Sequence, residues 1–484
     1  LAFETKLIVN GAFTDAQSRA VYTRECAVGD GVATVSASAD INDARSAANA
    51  AAAAFAGWSA TDDADRSAVL LRAADVLLAK ADTIVEAMAQ ETGATEEWAR
   101  FNCQIAAEMF RHAAKMTGFS RQAERQGFDE AVRSILLRQP VGVVLGIAPW
   151  NAPITLATRA VAVPLAVGNT VVLKASEKCP KTHSLVIEAL VEAGAPPGVA
   201  NLVTNAPNMA SEIVEALISH AAVRRINFTG STRVGRTVAE TCARHLKPAV
   251  LELSGKSAMI VLSDADLDQA AKAAAHGAYF NQGQICMSTE RIIVDAAIAD
   301  DLVARIAEIA RNIRVGNPQK KGVQFGPLIS ADAAVRVQNL VEDAVDKGAS
   351  LVVGGGVFKS TMDPAVLDNV DASMRIYSEE SFGPVASIIR VSSEEEAITV
   401  ANDTEYGLAA SVHSRDTERA LNVAEHLECG VCQINGSTVY DDANMPFGGT
   451  KASGYGKLSG EESINEFTEL RWIAVHKGSE DLTL

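Results

Sequence analysis

One of the seven cysteines, Cys286, stands in the segment NQGQICMST among small and polar neighbours. Cysteine suits attack on a carbonyl carbon because its thiolate is accessible near neutral pH. Gly283 and its neighbours fit a loop or helix start, where backbone amides favour a thiolate, whereas the plain alternative is a small buried hydrophobe. Glu252 lies between two leucines in AVLELSGKSAMIV, and burying an ionised glutamate is costly. Three readings stay open for it: an edge-strand residue facing water, a partner of Lys256, or a base whose pKa burial has raised. The segment RRINFTGSTRVGRTV reads as strand, glycine turn and helix, with Gly230, Ser231 and Gly235 at the helix N-terminus. Free amides there attract anions, although glycine also serves such turns for steric reasons alone. Neither standard glycine-rich nucleotide fingerprint occurs in the chain. Cys429 and Cys432 form a C-x-x-C that runs into an apparent strand, without the further ligands a zinc site needs, so no metal is expected.

The elements that must position these residues follow from periodicity. Asp43 to Trp58, Asp65 to Glu91 and Thr95 to Met116 carry helical spacing, with Thr92-Gly93 closing the second. Residues 121–138 turn charged and end in the alternation VRSILLR, an excursion that resembles an exposed strand. From Val141 the apolar runs VGVVLGIAPW, NTVVLKAS, ANLVT and RRINFTGS recur with helix-compatible segments between them. That is the pattern of βαβ units in a parallel sheet, which binds ligands beyond the carboxyl ends of its strands. Trp150-Asn151, Lys174 with Ser176-Glu177, and Thr229-Gly230-Ser231 fall at those ends. After Leu251 a second alternation starts, through SAMIVL, RIIVD, SLVVGG, PVASIIRV, AASVHS and GVCQIN, with a helix near Ile298 to Arg314. The late segment FTELRWIAVHK is strand-like and is expected to pair elsewhere.

The length of 484 residues implies two or three domains, and 48% hydrophobic with 21% charged residues fits a globular chain. A net charge of −17 argues against nonspecific nucleic-acid binding, which depends on basic groups neutralising phosphates. Few, irregularly spaced cysteines favour a reducing compartment. No apolar run is long enough to span a bilayer, and LAFETKLIVNGAF does not resemble a signal peptide. A soluble cytoplasmic protein is the expectation.

Seven segments together resemble the aldehyde dehydrogenase superfamily. They are PWN (Pro149 to Asn151), LKASE (Leu173 to Glu177), FTGS (Phe228 to Ser231), LELSGK (Leu251 to Lys256), GQIC (Gly283 to Cys286), EESFGPV (Glu379 to Val385) and PFGGTKASGYG (Pro446 to Gly456). They occur in the family's order, and QGQICMSTERI and RRINFTGSTRVG are similar to the bacterial branch acting on salicylaldehyde, vanillin and benzaldehyde. The resemblance implies an α/β aldehyde dehydrogenase fold: a Rossmann-like NAD-binding domain (1–119 and 140–251), an α/β catalytic domain (252–460) and a small β oligomerisation element (120–139 and 461–484). A homodimer or homotetramer is implied with it.

Carried over by position, Cys286 corresponds to the nucleophile, Glu252 to the general base, and Asn151 to a donor for the oxyanion. Lys174 and Glu177 correspond to residues holding the adenosine ribose, Gly230 and Ser231 to the pyrophosphate turn, and Glu380 and Phe382 to nicotinamide contacts. Ile147, Trp150, Ser176 and Leu253 are grouped with them as cofactor-binding. A carboxylate at Glu177 accepts from a free 2′-hydroxyl and repels a 2′-phosphate, which favours NAD over NADP. Three departures stand out: Ser254 replaces a usual glycine, Leu458 replaces a usual glutamate, and NAPNMASE (Asn205 to Glu212) lacks usual glycines. Asn151, Thr155 and Arg159 share a face if the segment is helical. Arg159 would orient a phenolic or carboxylate group, or serve as a structural salt bridge. Trp98, Ile285, Met287 and Tyr440 fall where related enzymes line the substrate tunnel, or are ordinary core. The implied substrate is an aromatic aldehyde. The alternatives are a semialdehyde whose distal carboxylate meets Arg159, or a non-catalytic NAD-binding protein.

Overall fold

The computed structural model describes residues 2–128 and 132–476. Residues 129–131 and 477–484, which fall in the expected oligomerisation element, lie outside the described residues. The expected parallel sheet is present. Its core strands run Ala249–Glu252, Val223–Thr229, Val143–Ile147, Thr170–Lys174 and Ala200–Val203 in spatial order, all parallel. These short apolar runs are buried on both faces, as helices on either side require. Antiparallel strands close both margins. Leu7–Val9 and Ala12–Thr14 lie beyond Ala200–Val203, and Gly454–Tyr455 lies beside Ala249–Glu252.

The second alternation forms a seven-stranded sheet ordered Ser350–Val353, Ala365–Asp368, Val385–Val391, Arg291–Asp295, Ala258–Val261, Ala409–His413 and Val431–Ile434. A third sheet pairs the late strand Thr468–His476 antiparallel with Val132–Pro140, which in turn pairs with Gln122–Gln126. The strand-like tail therefore does pair far back in the chain, with the charged excursion. Glu469, Arg471 and most residues of that tail strand are exposed, as are the large apolar Leu470, Trp472 and Val475.

Local helix signals behave as their chemistry dictates. Asp40 caps Ile41–Ala60 by accepting from Asn42 and Asp43 amides, and Thr95 caps Glu96–Met116 through the Trp98 amide. Gly93 ends its helix at φ 74°, a left-handed cap that a side chain would resist, and Pro327 packs where a Cβ would sit. One expectation needs correction. Asp65 to Glu91 is two helices, Asp63–Ala79 and Ala81–Thr92, broken at Lys80. No glycine or proline announces that break.

Candidate active site

The polar ends of the first sheet converge as expected. The strand Val143–Ile147 delivers Pro149, Trp150 and Asn151, the strand Val223–Thr229 delivers Gly230 and Ser231, and Glu252 ends its own strand. The second sheet's side contributes the loop with Cys286. A cavity of about 320 Å³ is lined by Trp150, Asn151, Leu156, Thr229, Gly230, Ser231, Glu252, Leu253, Ser254, Cys286, Arg336, Glu380 and Phe382, with Pro149.

The Cys286 loop is built around unusual backbone. Asn281 (φ 49°), Gln282 (φ 56°) and Gly283 (φ 71°) form a left-handed run, costly for the first two. Gly283 is required: a Cβ there would lie 2.1 Å from the Gly383 carbonyl. Cys286 then sits in a tight turn closed by the Ser288 amide donating to Ile285 O at 2.9 Å. Thr438 secures the far side by donating to Met287 O at 2.7 Å. The thiol is thus on a turn and not at a helix start, and the Arg159 charge, which lowers its pKa, is outweighed. Burial and the neighbouring Glu252 carboxylate push it well above its ordinary value.

Glu252 is buried, 1% exposed, so the water-facing reading fails. The Lys256 partnership fails too, because Lys256 donates to Glu290 at 2.8 Å and to Glu379 O at 2.7 Å. Neither Glu252 carboxylate oxygen has a well-formed hydrogen bond. Burial raises its pKa to about 7, partly offset by the adjacent Cys286 thiol and the Arg159 charge. A buried carboxyl half-ionised near neutrality beside a thiol is suited to proton exchange. Asn151 donates to Gln284 O at 3.1 Å, while its own carbonyl accepts from Trp98 (2.9 Å) and Asn281 (3.1 Å). Its amide is thereby held at the cavity wall by groups that do not themselves line the cavity.

A second cavity of about 480 Å³ adjoins the first through Pro149, Trp150, Thr229, Gly230 and Ser231. Ile147, Lys174, Ser176 and Glu177 line it, as do Arg233, Val234 and, from a neighbouring helix, Ala210, Ser211, Val214 and Glu215. Seven of the ten residues grouped as cofactor-binding (Ile147, Trp150, Lys174, Ser176, Glu177, Gly230, Ser231) lie here, and Leu253, Glu380 and Phe382 line the first cavity. Ser231, which lines both cavities, caps the helix Thr232–Arg244, and a helix N-terminus favours an anion. Glu177 accepts from both Lys174 and Asn205, the latter at 3.1 Å. Asn205, in the segment without glycines, therefore braces the carboxylate from behind. An elongated ligand with a central anionic group and a diol over Glu177 fits this pair of cavities.

The substrate-side expectations fare less well. None of Trp98, Thr155, Arg159, Ile285, Met287 and Tyr440 lines the 320 Å³ cavity. Trp98 packs with Phe101 and Phe280, ring centroids 5.5 and 4.9 Å away. Thr155 donates to Asn102 at 3.1 Å. Arg159 pairs with Asp441 and lies 4.5 Å over the Phe447 ring. Ile285 and Met287 are core residues, and Tyr440 is 55% exposed. The helical face exists, but its helix begins at Pro153, after Asn151, and every residue to Ala166 is buried. Successive turns therefore carry Thr155 and Arg159 into the interior behind Asn151.

Leu156, Arg336 and Glu290 were not anticipated. Glu290 accepts from the Ser381 and Phe382 amides, each at 3.0 Å, while Arg336 donates to the carbonyls of Glu380 (3.1 Å) and Ser381 (2.6 Å). Together they clamp the loop that presents Glu380 and Phe382, with Phe382 held at φ 45°. Only the buried acid following Cys286 in MSTERI hinted at this in the sequence.

Residues 13–473 match the aldehyde dehydrogenase family. A vanillin dehydrogenase from Pseudomonas fluorescens is 51% identical over 478 residues, 98% of each chain. The crystal structure of a salicylaldehyde dehydrogenase from Pseudomonas putida G7, complexed with salicylaldehyde, superposes with a TM-score of 0.98 at 45% identity and covers 100% of both chains. That of an NAD-dependent aldehyde dehydrogenase from Sinorhizobium meliloti gives 0.96 at 33% identity, covering 100% of this chain and 97% of the other. Likeness along almost the entire length, joined to one cavity that gathers Asn151, Glu252 and Cys286, shows that the chain belongs to the aldehyde dehydrogenase family.

Proposed function

We propose that the protein oxidises an aromatic aldehyde to its carboxylic acid with NAD, through a thioester on Cys286. The observation that carries this reading is the shared wall between a cavity holding Cys286, Glu252 and Asn151 and one holding Lys174 and Glu177. Cys286 loses its proton as it attacks the carbonyl carbon, and Glu252 is placed to receive it. The resulting oxyanion meets the Asn151 amide and the Cys286 backbone N–H, a preorganised arrangement worth about 3–4 kcal/mol of barrier. Lys174, Glu177, Gly230 and Ser231 would hold NAD, which would supply the acceptor for the hydride of the former aldehyde carbon. Glu252 passes the thiol proton to solvent and then takes a proton from water, whose oxygen attacks the thioester carbon; the C–S bond breaks, the acid is freed and the Cys286 thiolate recovers its proton.

Aromatic substrates are favoured on two grounds. The vanillin and salicylaldehyde enzymes are similar over nearly the full chain. Arg159, the cation that a distal carboxylate would need, is already paired with Asp441. In a kinetic panel, vanillin, salicylaldehyde and benzaldehyde are expected to exceed succinic semialdehyde in kcat/KM, with NAD exceeding NADP. Faster turnover of the semialdehyde would overturn the substrate assignment, and equal use of NADP would overturn the role given to Glu177.

The division into an NAD-binding domain, a catalytic domain and an oligomerisation element belongs to the same proposal. Among the described residues no helix is long and apolar enough to cross a membrane, and a cytoplasmic location is part of this reading. The exposed Leu470, Trp472 and Val475 support contact with a second copy, since a strand edge with large apolar side chains is a site for association. Trp472→Glu is expected to lower the mass measured by light scattering. An unchanged mass would place the interface elsewhere.

A further inference from the structure

Ser254 follows the strand that ends in Glu252, and its main chain is fixed from both sides. The Leu253 amide donates to Ser453 O at 3.0 Å, and the Ser453 hydroxyl donates to Ser254 O at 2.6 Å. Ser254 is 8% exposed, and it lines the cavity that contains Cys286. Its φ is not positive, so the backbone does not demand glycine here. The next residue does need to be glycine, because a Cβ at Gly255 would lie 2.4 Å from Cys286 O.

This turn faces one carboxyl group. The Gly255 N–H donates to Glu380 Oε1 at 3.1 Å, and Ser254, the residue before it, lines the same cavity as Glu380. Burial raises the Glu380 pKa to about 7, and the Ser254 hydroxyl nearby works against that rise. The main chain around Glu380 is held by different residues, Arg336 and Glu290. Backbone and carboxylate are thus positioned independently. The second task is not trivial: Glu290 repels the Glu380 carboxylate, and Lys256, the nearby cation, is engaged by Glu290. A carboxylate on a side chain with several rotatable bonds needs donors on the cavity side to stay there, because ordering it costs entropy.

We propose that Ser254 is a positioning residue, whose hydroxyl holds the Glu380 carboxylate toward the cavity so that the hydroxyls of the nicotinamide ribose meet a preset acceptor. This rests on the NAD reading given above. The hydroxyl acts through Glu380 and makes no bond to the reacting atoms. Preorganisation of this kind contributes by removing an ordering cost from binding, not by adding a contact.

The test is equilibrium NADH binding, followed by nicotinamide fluorescence, for wild type, Ser254→Ala, Ser254→Gly, Ser254→Thr, Glu380→Ala and the Ser254→Ala/Glu380→Ala double variant. Loss of the hydroxyl in the alanine and glycine variants is expected to raise the Kd about three- to tenfold. Threonine, which keeps the hydroxyl, is expected to bind as wild type does. In the Glu380→Ala background the Ser254→Ala change is expected to add nothing, since its partner is gone. In turnover, KM for NAD should rise in Ser254→Ala more than kcat falls. The inference is overturned if Ser254→Ala binds NADH like wild type, or if its effect persists undiminished without Glu380. A wild-type protein that makes NADH while Ser254→Ala matches it removes only this inference. A wild type that neither binds NADH nor reduces NAD removes the cofactor reading as well.

Discussion

Cys286→Ala is expected to lose aldehyde oxidation by on the order of 10⁴-fold or more in kcat, while still binding NADH with near wild-type affinity. The size of the loss follows from the lack of a substitute. The thiol is the proposed nucleophile in the cavity lined by Glu252 and Asn151, and no other cysteine lines that cavity. Alanine leaves the turn at Ile285 to Ser288 intact, since that turn is closed by backbone and by Thr438 and not by the side chain. The binding measurement separates chemistry from misfolding. Substantial dehydrogenase activity in this variant would sink the thioester mechanism.

Glu252→Gln is expected to divide the reaction in two. The amide keeps the shape of the carboxyl group but cannot take a proton, so thioester hydrolysis should slow by about 10²–10⁴-fold. Thiol activation loses its proposed proton acceptor as well, although removing the carboxylate also removes one of the influences that hold the Cys286 thiol up. A rapid-mixing experiment with excess aldehyde should show at most one NADH per site, formed slowly, followed by a stall. Wild-type kcat should fall as pH drops through about 7, where Glu252 gains its proton, and the variant should lack that limb. Steady turnover at the wild-type rate would exclude Glu252 as the base.

The same shift has a consequence for stability, with a definite sign. The folded pKa of about 7 lies above the ordinary 4.5, so the folded protein holds the proton more tightly. The associated stability is fully present below the unfolded pKa and is lost as pH rises through about 7. Glutamine carries no such penalty. Relative to wild type, Glu252→Gln should therefore gain up to about 3 kcal/mol between mildly acidic and mildly alkaline pH. Thermal midpoints of the two proteins compared across that range would show it. A difference that does not grow with pH would mean that Glu252 is not buried as a neutral acid.

The sheet strands were legible in the sequence because each is a short apolar run ending in polar residues, and a parallel sheet places those ends on one side. That is why Trp150, Lys174, Glu177, Gly230 and Ser231 were found: strand period and strand end are local properties. The helix caps at Asp40 and Thr95 were local in the same sense. The break at Lys80 was not, because no glycine or proline marks it.

Cys286, Glu252 and Asn151 stand out in the sequence by residue type and motif, but their chemistry does not. Whether Glu252 faced water, paired with Lys256 or lay buried near neutrality was open until Lys256 was seen with Glu290. Arg159 carried two readings until Asp441, 282 positions away, claimed its charge. Tyr440 and Trp98 shared an aromatic label, yet one is exposed and the other is buried against Phe280. The clamp of Glu290 and Arg336 on the loop of Glu380 joins segments with no local relation. Residue type and period are written along the chain, so the sequence by itself determined which groups exist and at which strand ends they sit. The partner of each charge, and hence its pKa and its freedom, depends on desolvation and on neighbours brought together from distant segments, and only the tertiary structure decided those.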